Sequence, residues 1–338
     1  MDFDIEPMGN TVVNVPNDTA EYENETFIRF IFTAKEDTDY CENGYEVCFD
    51  QLRIAEGKTY KVAEVKENVK AVETPLDITV TVGDVVYRFD KRKSAFVSVK
   101  FGGRKLLDRP LQYNFFRAPT DNDVMKYNWY KVHLNDFDVK SYGCELSASE
   151  NRAEISVTQS FGWSIQQPFF RLDIKCEAEF SNKIDMLPRF GIRLFMPKNF
   201  SRAEYFGYGP TESYIDKRQA CYVGRFAADI GDMHEDYIRP QENSSHYGCR
   251  YLTVCGGDTS VMFTAGEEFS FNASQFSQEE LAAKAHNYEL ERCESNVICV
   301  DYAMAGVGSN SCGPRLAEKY QLEKPLINAH FHIQISKI

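Results

Sequence analysis

The sequence predicts an all-β protein built from antiparallel sheets, because many short segments alternate between polar and apolar residues while helix signals are scarce. The longest such segment covers residues 170–180, where apolar residues at even positions alternate with charged residues at odd positions. Successive side chains of a strand point to opposite faces of a sheet, so this pattern gives one apolar and one charged face. Shorter segments with the same period lie at residues 97–101, 192–196 and 331–335.

The first predicted strands are Phe27–Thr33 and Glu46–Ile54. They are too few for a complete sandwich, which needs about seven strands. Residues 1–58 are therefore predicted to form part of a β-sandwich domain. An incomplete domain at this position predicts that the chain is a piece of a longer protein.

A second domain is predicted over residues 75–338. Residues 59–74 are rich in Lys and Glu without a clear period, which predicts a linker. Pro75 then precedes the apolar alternation of residues 78–82, which predicts the first strand of the second domain.

Two local signals predict further elements of this domain, a hairpin and a short helix. Gly102 and Gly103 lie between two alternating segments and predict a tight hairpin. Ser277, followed three residues later by Glu280, predicts a capping box that opens a short helix through Leu281–Ala285. One short helix among many strands is typical of an antiparallel sandwich.

Composition excludes several classes of partner. Lys and Arg number 38 against 51 Asp and Glu, a net charge of −13, whereas nucleic acids and anionic membranes need a basic surface. No long apolar run predicts a membrane span, and the acidic Met1–Asp4 is unlike a signal peptide. The ten cysteines form no C-x-x-C pair, which favours reduced thiols and a cytoplasmic location.

Five short motifs follow one another along the second domain. They are R-A-P-T-D-N-D at 117–123, G-Y-G-P-T-E-S-Y-I-D at 207–216, Y-I-R-P-Q-E-N at 237–243, F-N-A-S at 271–274 and G-V-G-S-N-S-C at 306–312. Together they resemble the C-terminal region of the β-galactosidases of glycoside hydrolase family two. The five motifs occur in the same order as in that family, and together they make a stronger resemblance than any single short motif would.

The resemblance implies a large antiparallel super-sandwich of the galactose mutarotase-like type, preceded by part of an immunoglobulin-like β-sandwich. In that family the catalytic glutamates lie on a (β/α)₈ barrel upstream, and no segment here resembles its motifs. The chain is therefore expected to be a non-catalytic part of a retaining enzyme that hydrolyses terminal β-D-galactosides. It would complete the rim of the active site and support assembly.

The resemblance also implies the partners. A β-galactoside sugar is expected to reach this chain through the full-length enzyme, beside its own catalytic barrel domain or a large subunit. The full-length protein is expected to be a homo-oligomer. No cofactor or metal is expected in this chain, whereas the barrel of the full-length enzyme is a place for Mg or Na.

The loop Asp121-Asn122-Asp123 has three interpretations. Its oxygens suit a hard cation, but one loop supplies too few ligands, and an Asx-rich turn is favoured. In family members this loop lies near the barrel mouth, where Arg117 would brace it through carboxylate hydrogen bonds. Arg117 and Asp121–Asp123 are therefore candidates for the substrate rim.

A second group of residues is interpreted as structural. Glu212, Tyr214 and Asp216 recur with a period of two and would form either a sugar-contacting row or a corner of mutually satisfied polar groups. The corner is favoured. It includes the turn-forming Gly207, Gly209 and Pro210, together with Glu242 and Asn243.

The glycine-rich motif at 306–312 supplies the remaining candidates for the rim, which are Asn310, Ser311 and Cys312. In some family members an aromatic residue of this loop stacks on the sugar, but this sequence has Cys312 there. A tight turn between strands is the alternative interpretation. His330 and His332 are two ligands, which is too few for a zinc site, and a solvated strand face is favoured. His246, Cys249 and Cys255 form a similarly loose group, and no zinc site is predicted there.

Three other functions stay open. A stand-alone carbohydrate-binding module would use exposed aromatic platforms, for which the candidates are Trp129, Trp163, Tyr205, Phe206 and Tyr208. An aldose epimerase-like protein would need a His and a Glu in one pocket. The chain would otherwise be the small subunit of a split β-galactosidase.

Overall fold

The computed structural model describes residues 5–15, 22–57, 68–124, 126–136, 144–149, 152–157, 161–166, 171–178, 186–308, 314–322 and 327–338. The chain divides into two compact units, Met1–Lys61 and Val62–Ile338. No helix within these ranges is both long enough and apolar enough to cross a membrane.

The described part of the first unit forms an antiparallel hairpin of two strands, β1 (Thr26–Thr33) and β2 (Glu46–Ala55). Both strands were predicted, and both are confirmed within one residue at each end. Large apolar side chains on the hairpin, including Phe32 and Leu52, are about half exposed.

The second unit contains nineteen of the strands described. They are β3 (Val69–Glu73), β4 (Asp77–Val82), β5 (Val85–Asp90), β6 (Ala95–Phe101), β7 (Arg104–Lys105), β8 (Gln112–Asn114), β9 (Cys144–Ser149), β10 (Arg152–Val157), β11 (Phe161–Gln166), β12 (Arg171–Ala178), β13 (Arg189–Pro197), β14 (Arg202–Gly209), β15 (Tyr222–Asp229), β16 (Ser245–Cys249), β17 (Tyr251–Gly256), β18 (Thr259–Ala265), β19 (Phe269–Ser274), β20 (Ser295–Met304) and β21 (Ile327–Lys337). The described residues also form the α-helices α1 (Lys126–Lys131) and α2 (Gln278–Ala283) and short 3₁₀ turns at Ile230–Met233, Asn287–Glu289 and Glu318–Tyr320.

These strands form three sheets in which every pair is antiparallel. One sheet has the order β3-β4-β5-β6-β7, and a second has the order β16-β19-β20-β13-β8. The third has nine strands, in the order β15-β14-β17-β18-β21-β12-β11-β10-β9. The predicted all-β, antiparallel class is therefore confirmed.

The three sheets share one hydrophobic core. Val80 of β4, Ile192 of β13 and Val261 of β18 belong to the same cluster of buried side chains, and each is at most 2% exposed. Fully burying an aliphatic side chain of this size contributes about 1.5–3 kcal/mol. Burial of the apolar face of each sheet is thus the main force that holds the sheets together.

The strands predicted from alternation at residues 97–101, 192–196 and 331–335 are confirmed by β6, β13 and β21, and β12 confirms the described part of the strand predicted at 170–180. The predicted hairpin is also confirmed, because Phe101 pairs with Arg104 around Gly102 and Gly103, whose φ angles of 53° and 81° suit glycine. Ser277 caps α2, since its hydroxyl accepts a bond of 3.1 Å from the amide of Glu280.

The structure corrects the predicted linker at its C-terminal end. Residues 69–73 form strand β3, which pairs with β4. Val69 and Ala71 pack against the core, and this long-range burial outweighs the weak period of a segment rich in Lys and Glu. The strand that follows Pro75 is therefore the second strand of its sheet.

His246 of β16 lies inside the core, between two aromatic rings. The ring of Tyr205 from β14 is 4.5 Å away between centroids, and the ring of Phe271 from β19 is 5.0 Å away. The Nδ1 of His246 donates to the carbonyl of Tyr208 at 3.4 Å. Burial lowers the pKa of His246 to about 4, so the folded protein holds this ring neutral.

This neutral histidine predicts a loss of stability in acid. As the pH falls below about 6.5, the unfolded chain protonates at this position while the folded protein does not until about pH 4. The free energy of unfolding should therefore fall by as much as about 3 kcal/mol across this window. Urea denaturation between pH 7 and pH 4 measures it.

The variant His246→Phe should lose this part of the pH dependence, because Phe fits between the same rings without titrating. His286→Gln is the control, since the side chain of His286 is half exposed and its removal should leave the dependence unchanged. A His246→Phe protein with the same pH dependence as the wild type would contradict the burial argument.

Candidate functional site

The five motif segments lie against one another around two buried arginines. Arg117 and Arg189 are both fully inaccessible to solvent. An isolated buried charge is costly, so each guanidinium needs a partner for its charge and its N–H groups. Those partners come from the motif segments and from the strands between them.

Arg117 follows β8 and ties its own loop to the glycine-rich segment. Its Nε and Nη2 donate to the two carboxylate oxygens of Asp123, at 3.2 and 2.6 Å. Its Nη1 donates to the carbonyl of Ala305 at 2.6 Å, and its Nη2 also donates to the carbonyl of Gly306 at 3.0 Å. The guanidinium carbon lies 5.7 Å from the ring centre of Trp129. One side chain thus joins residues about 190 positions apart.

The carboxylate of Asp123 is occupied by contacts within the protein. Besides Arg117, it accepts hydrogen bonds from the backbone amide and the hydroxyl of Thr120, at 2.9 and 3.2 Å. Asn122 donates instead to the carbonyl of Val307 at 2.7 Å, and the largely exposed Asp121 lies 3.4 Å from Arg239. The three side chains therefore point to different partners, as in a capped turn. No group of three His, Cys, Asp or Glu suited to a metal occurs in the described ranges.

Asp216 holds the glycine-rich segment from its other side. Its two carboxylate oxygens accept hydrogen bonds from the amides of Val307 and Gly308, at 3.0 and 2.8 Å. A Cβ at Gly306 would lie 2.5 Å from the same carboxylate, so a glycine is needed for this close approach. Residues 306–308 are thus held between Arg117 and Asp216.

Glu212 lies 7% exposed at the corner formed by the 207–216 motif. Its Oε2 accepts hydrogen bonds from the amide of Ser244 at 3.0 Å and from the hydroxyl of Tyr214 at 3.4 Å. The hydroxyl of Tyr237 and the ammonium of Lys217 donate to its other oxygen. Its hydrogen bonds therefore join the second and third motifs.

Arg189, at the start of β13, forms a second buried ion pair. Its Nε and Nη2 donate to the two oxygens of Asp301 in β20, at 2.9 and 2.5 Å. Nη2 also donates to Asn272 at 2.6 Å, and Nη1 lies 3.4 Å from Glu242. Glu242 and Asn272 belong to two of the five motifs.

Asn272 completes the connections between the motifs. Its amide nitrogen donates to the carboxylate of Glu242 at 2.8 Å and to the carbonyl of Asn243 at 2.6 Å. The amide of Glu242 donates to the carbonyl of Ala118 at 3.0 Å, beside Arg117. The contacts therefore form one buried polar network, which contains residues of all five motifs.

The network contains two arginines and three buried carboxylates. Burial lowers the pKa of each arginine, but the facing carboxylates outweigh it, so both pKa values are raised and both side chains stay charged. Burial raises the pKa of Glu242 despite both arginines. It also raises the pKa of Asp301 to about 6. Glu242 and Asp301 are almost inaccessible, so neither is presented to a substrate.

The remaining predicted residues are placed as follows. Gly207 lies against Cys249, whose Sγ would be 2.5 Å from an added Cβ. The carbonyl of Pro210 accepts a hydrogen bond of 3.3 Å from the hydroxyl of Tyr205. Gly209, which precedes Pro210, is the last residue of β14. Asn243 accepts the amide of Glu235 at 3.2 Å. Asn310, Ser311 and Cys312 lie outside the described residues.

The aromatic residues suggested as sugar platforms are largely unavailable. Trp129 and Tyr205 are each only 1% exposed. Phe206 and Tyr208 are half-buried and lie beneath the guanidinium groups of Arg250 and Arg218, at 5.4 and 5.2 Å. The side chain of Trp163 lies outside the described part.

Sequence reasoning missed Arg189 and Asp301, which have no place in the five motifs. Each lies in a strand of otherwise mostly apolar residues, and each is completely buried. A charged residue inside such a strand signals a buried ion pair. The sequence does not show which opposite charge is its partner.

The model of the family described as β-galactosidase small chain matches residues 81–335. The β-galactosidase of Actinobacillus pleuropneumoniae is 34% identical over 316 residues, which cover 89% of this chain and 31% of that protein. The β-galactosidase of Staphylococcus xylosus is 31% identical over 337 residues, which cover 94% and 34%. The chain thus spans about a third of the length of these relatives.

Among solved structures, a galactose mutarotase-like protein from Lactobacillus casei has a TM-score of 0.40 and 9% identity, over 79% of this chain and 100% of that chain. A galactose 1-epimerase from Lactobacillus acidophilus has a TM-score of 0.43 and 8% identity, over 81% of this chain and 99% of that chain.

The buried ion pair of Arg189 predicts a large effect of its removal. Arg189→Met should lower the free energy of unfolding by about 3–5 kcal/mol, because Asp301 and Glu242 stay buried without their cation. Arg88→Met in β5 is the control. Arg88 is 58% exposed and its ionic partner Asp77 is 22% exposed, so the loss should be at most about 1 kcal/mol. Chemical denaturation followed by tryptophan fluorescence measures both, and equal losses would contradict the assignment.

Proposed function

Because the chain belongs to the β-galactosidase small-chain family, we propose that it is the non-catalytic C-terminal part of a β-galactosidase. In this proposal it completes the rim of the active site and supports assembly. The observation that carries the proposal is the buried polar network in which all five motifs meet. The predicted likeness to β-galactosidases is confirmed by the family match.

The network positions two neighbouring loops. Arg117 and Asn122 connect the loop at 117–123 to residues 305–307, and Asp216 holds Val307 and Gly308 from the other side. Gly308 is exposed at the edge of this arrangement. The network therefore has the properties of a support for an exposed edge, as a substrate rim requires.

We assign the rim to the exposed side of these loops. Asp121 is its exposed acidic residue, and the candidates Asn310, Ser311 and Cys312 begin two positions after Gly308 in the sequence. Arg117, Asn122 and Asp123 act as positioning residues for the loops at 117–123 and 305–308. With Cys312 in place of an aromatic residue, the rim would hold the acceptor sugar without a stacking platform.

The proposed chemistry assigns catalysis to the rest of the longer protein. A retaining glycosidase needs two carboxyls about 5–5.5 Å apart that flank the glycosidic bond. The carboxylates gathered here are turned inward and paired with Arg117 and Arg189. The acid/base and nucleophile would therefore be supplied by a catalytic barrel, in the same polypeptide or in a large subunit.

The first unit suggests how the chain supports assembly. Its described part is a single two-stranded sheet, and an isolated hairpin is marginally stable in water. Ile31, Phe32 and Leu52 on it are about half exposed. We propose that further strands of the longer protein complete an immunoglobulin-like sandwich here and contribute to a homo-oligomer.

The purified 338-residue chain should not hydrolyse an aryl β-galactoside above the buffer rate. The reason is that its buried carboxylates cannot reach a glycosidic bond. The intact parent protein, assayed beside it at equal molar concentration, should be active. Turnover that scales with the concentration of the chain and persists through further purification would contradict the proposal and place a catalytic carboxyl in this chain.

A further inference from the structure

Among the described residues, strand β15 is an edge strand of the nine-stranded sheet. It has eight residues and pairs with β14 in continuous register. The other strands that end a sheet in the described part of the second unit, β3, β7, β8, β9 and β16, have six residues or fewer. A long edge strand without a proline or a bulge presents a row of backbone N–H and C=O groups to another strand.

The register of β14 and β15 shows which backbone groups of β15 face outward. The amide of Ile230, directly after β15, donates to the carbonyl of Ser201, directly before β14, at 2.7 Å. In an antiparallel pair, every second residue turns both its N–H and its C=O toward the partner strand. The even-numbered residues of β15 therefore face β14. The backbone groups of Arg225, Ala227 and Asp229 point away from the sheet.

The side chains of the same three residues form an exposed row. Arg225, Ala227 and Asp229 are exposed, whereas the residues between them are half-buried. Within the sheet Asp229 lies opposite Arg202 of β14, but the Nε of Arg202 lies 3.4 Å from Glu204. The row therefore has a cation two residues before its alanine and an anion two residues after it.

This row is complementary to itself. When two copies pair antiparallel about Ala227, each Arg225 lies opposite Asp229 of the other copy, and each opposite pair exchanges two backbone hydrogen bonds. Opposite charges directly across two strands are favourable, and like charges are unfavourable. A pairing centred on Arg225 or on Asp229 would set like charges opposite each other. Charge complementarity therefore selects the register that is centred on Ala227.

We propose that a second copy of this chain pairs along β15 and extends the nine-stranded sheet across a twofold axis. The same surface of both copies forms such an interface, which requires self-complementarity. The core-facing row would continue as well, because Phe226, whose ring lies 5.4 Å from that of Tyr205, would lie opposite Ala228 of the other copy. This inference gives a surface to the proposed role in assembly and rests on the proposed function in that respect.

Two charge reversals test the pairing in the 338-residue chain by sedimentation velocity. Arg225→Glu sets two acids opposite each other and Asp229→Arg sets two arginines, so each variant alone should dimerise about tenfold or more weakly than the wild type. An equimolar mixture of the two should dimerise again, because the mixed pair has opposite charges at both places. Arg88→Glu, on the inner strand β5, is the control and should sediment as the wild type. A monomeric wild type, or a mixture that associates no better than its components, would overturn the inference.

Disulfide crosslinking tests the same contact in the intact parent protein. Under mild oxidation Ala227→Cys should link two copies, because directly opposite Cα atoms lie about 5.5 Å apart, a distance that a disulfide spans. Arg225→Cys is the matched control, since the two copies of residue 225 would be offset by about 14 Å along the strands. The wild type measures the background from native cysteines.

The activity of the parent separates the two proposals. An active β-galactosidase in which Ala227→Cys links no more than Arg225→Cys, or links to another segment of its own copy, would overturn the interface alone. A parent that crosslinks through position 227 but has no β-galactosidase activity would support the interface and overturn the proposed part in a β-galactosidase.

Discussion

The proposed site depends on the pair of hydrogen bonds from the guanidinium of Arg117 to the two carboxylate oxygens of Asp123, which we call the fork. Both groups are buried, and the fork uses the N–H groups of Arg117 for one carboxylate and two backbone carbonyls at once. A buried ion pair adds little stability compared with an apolar pair, yet breaking it leaves an uncompensated charge. The requirement to satisfy both partners therefore fixes where residues 305–306 must lie. The second fork, between Arg189 and Asp301, imposes the same requirement on Glu242 and Asn272.

Much of the fold was predictable because its signals are local. The alternation of apolar and polar residues predicts β6, β13 and β21. Two consecutive glycines predict the hairpin at Gly102, and the N-cap residue Ser277 predicts the start of α2. Each depends on residues close together in the sequence. Strand β3 lacked such a signal, because it is held by pairing with β4 and by the burial of Val69 and Ala71.

The contacts of the site were less predictable, because many of them join residues that lie far apart in the sequence. The motifs gave the order of the segments, and Arg117 with Asp123 could be expected because both lie in one motif. Arg189 is 112 positions from Asp301, and only the register of β13 and β20 brings them together. A long-range pairing of this kind follows from sheet topology, which the alternation of a single chain does not specify.

Hydrogen exchange of the Gly306 and Val307 amides tests the central claim most directly, in the wild type and in Arg117→Lys. Lysine keeps the charge but lacks the planar fork that bonds Asp123 and two carbonyls together. In the wild type we expect both amides to exchange only through global unfolding. In Arg117→Lys we expect them to exchange by local opening, while the amides of β13 and β20 keep their protection. Equal exchange in the two proteins, or local opening already in the wild type, would contradict the role given to this arginine.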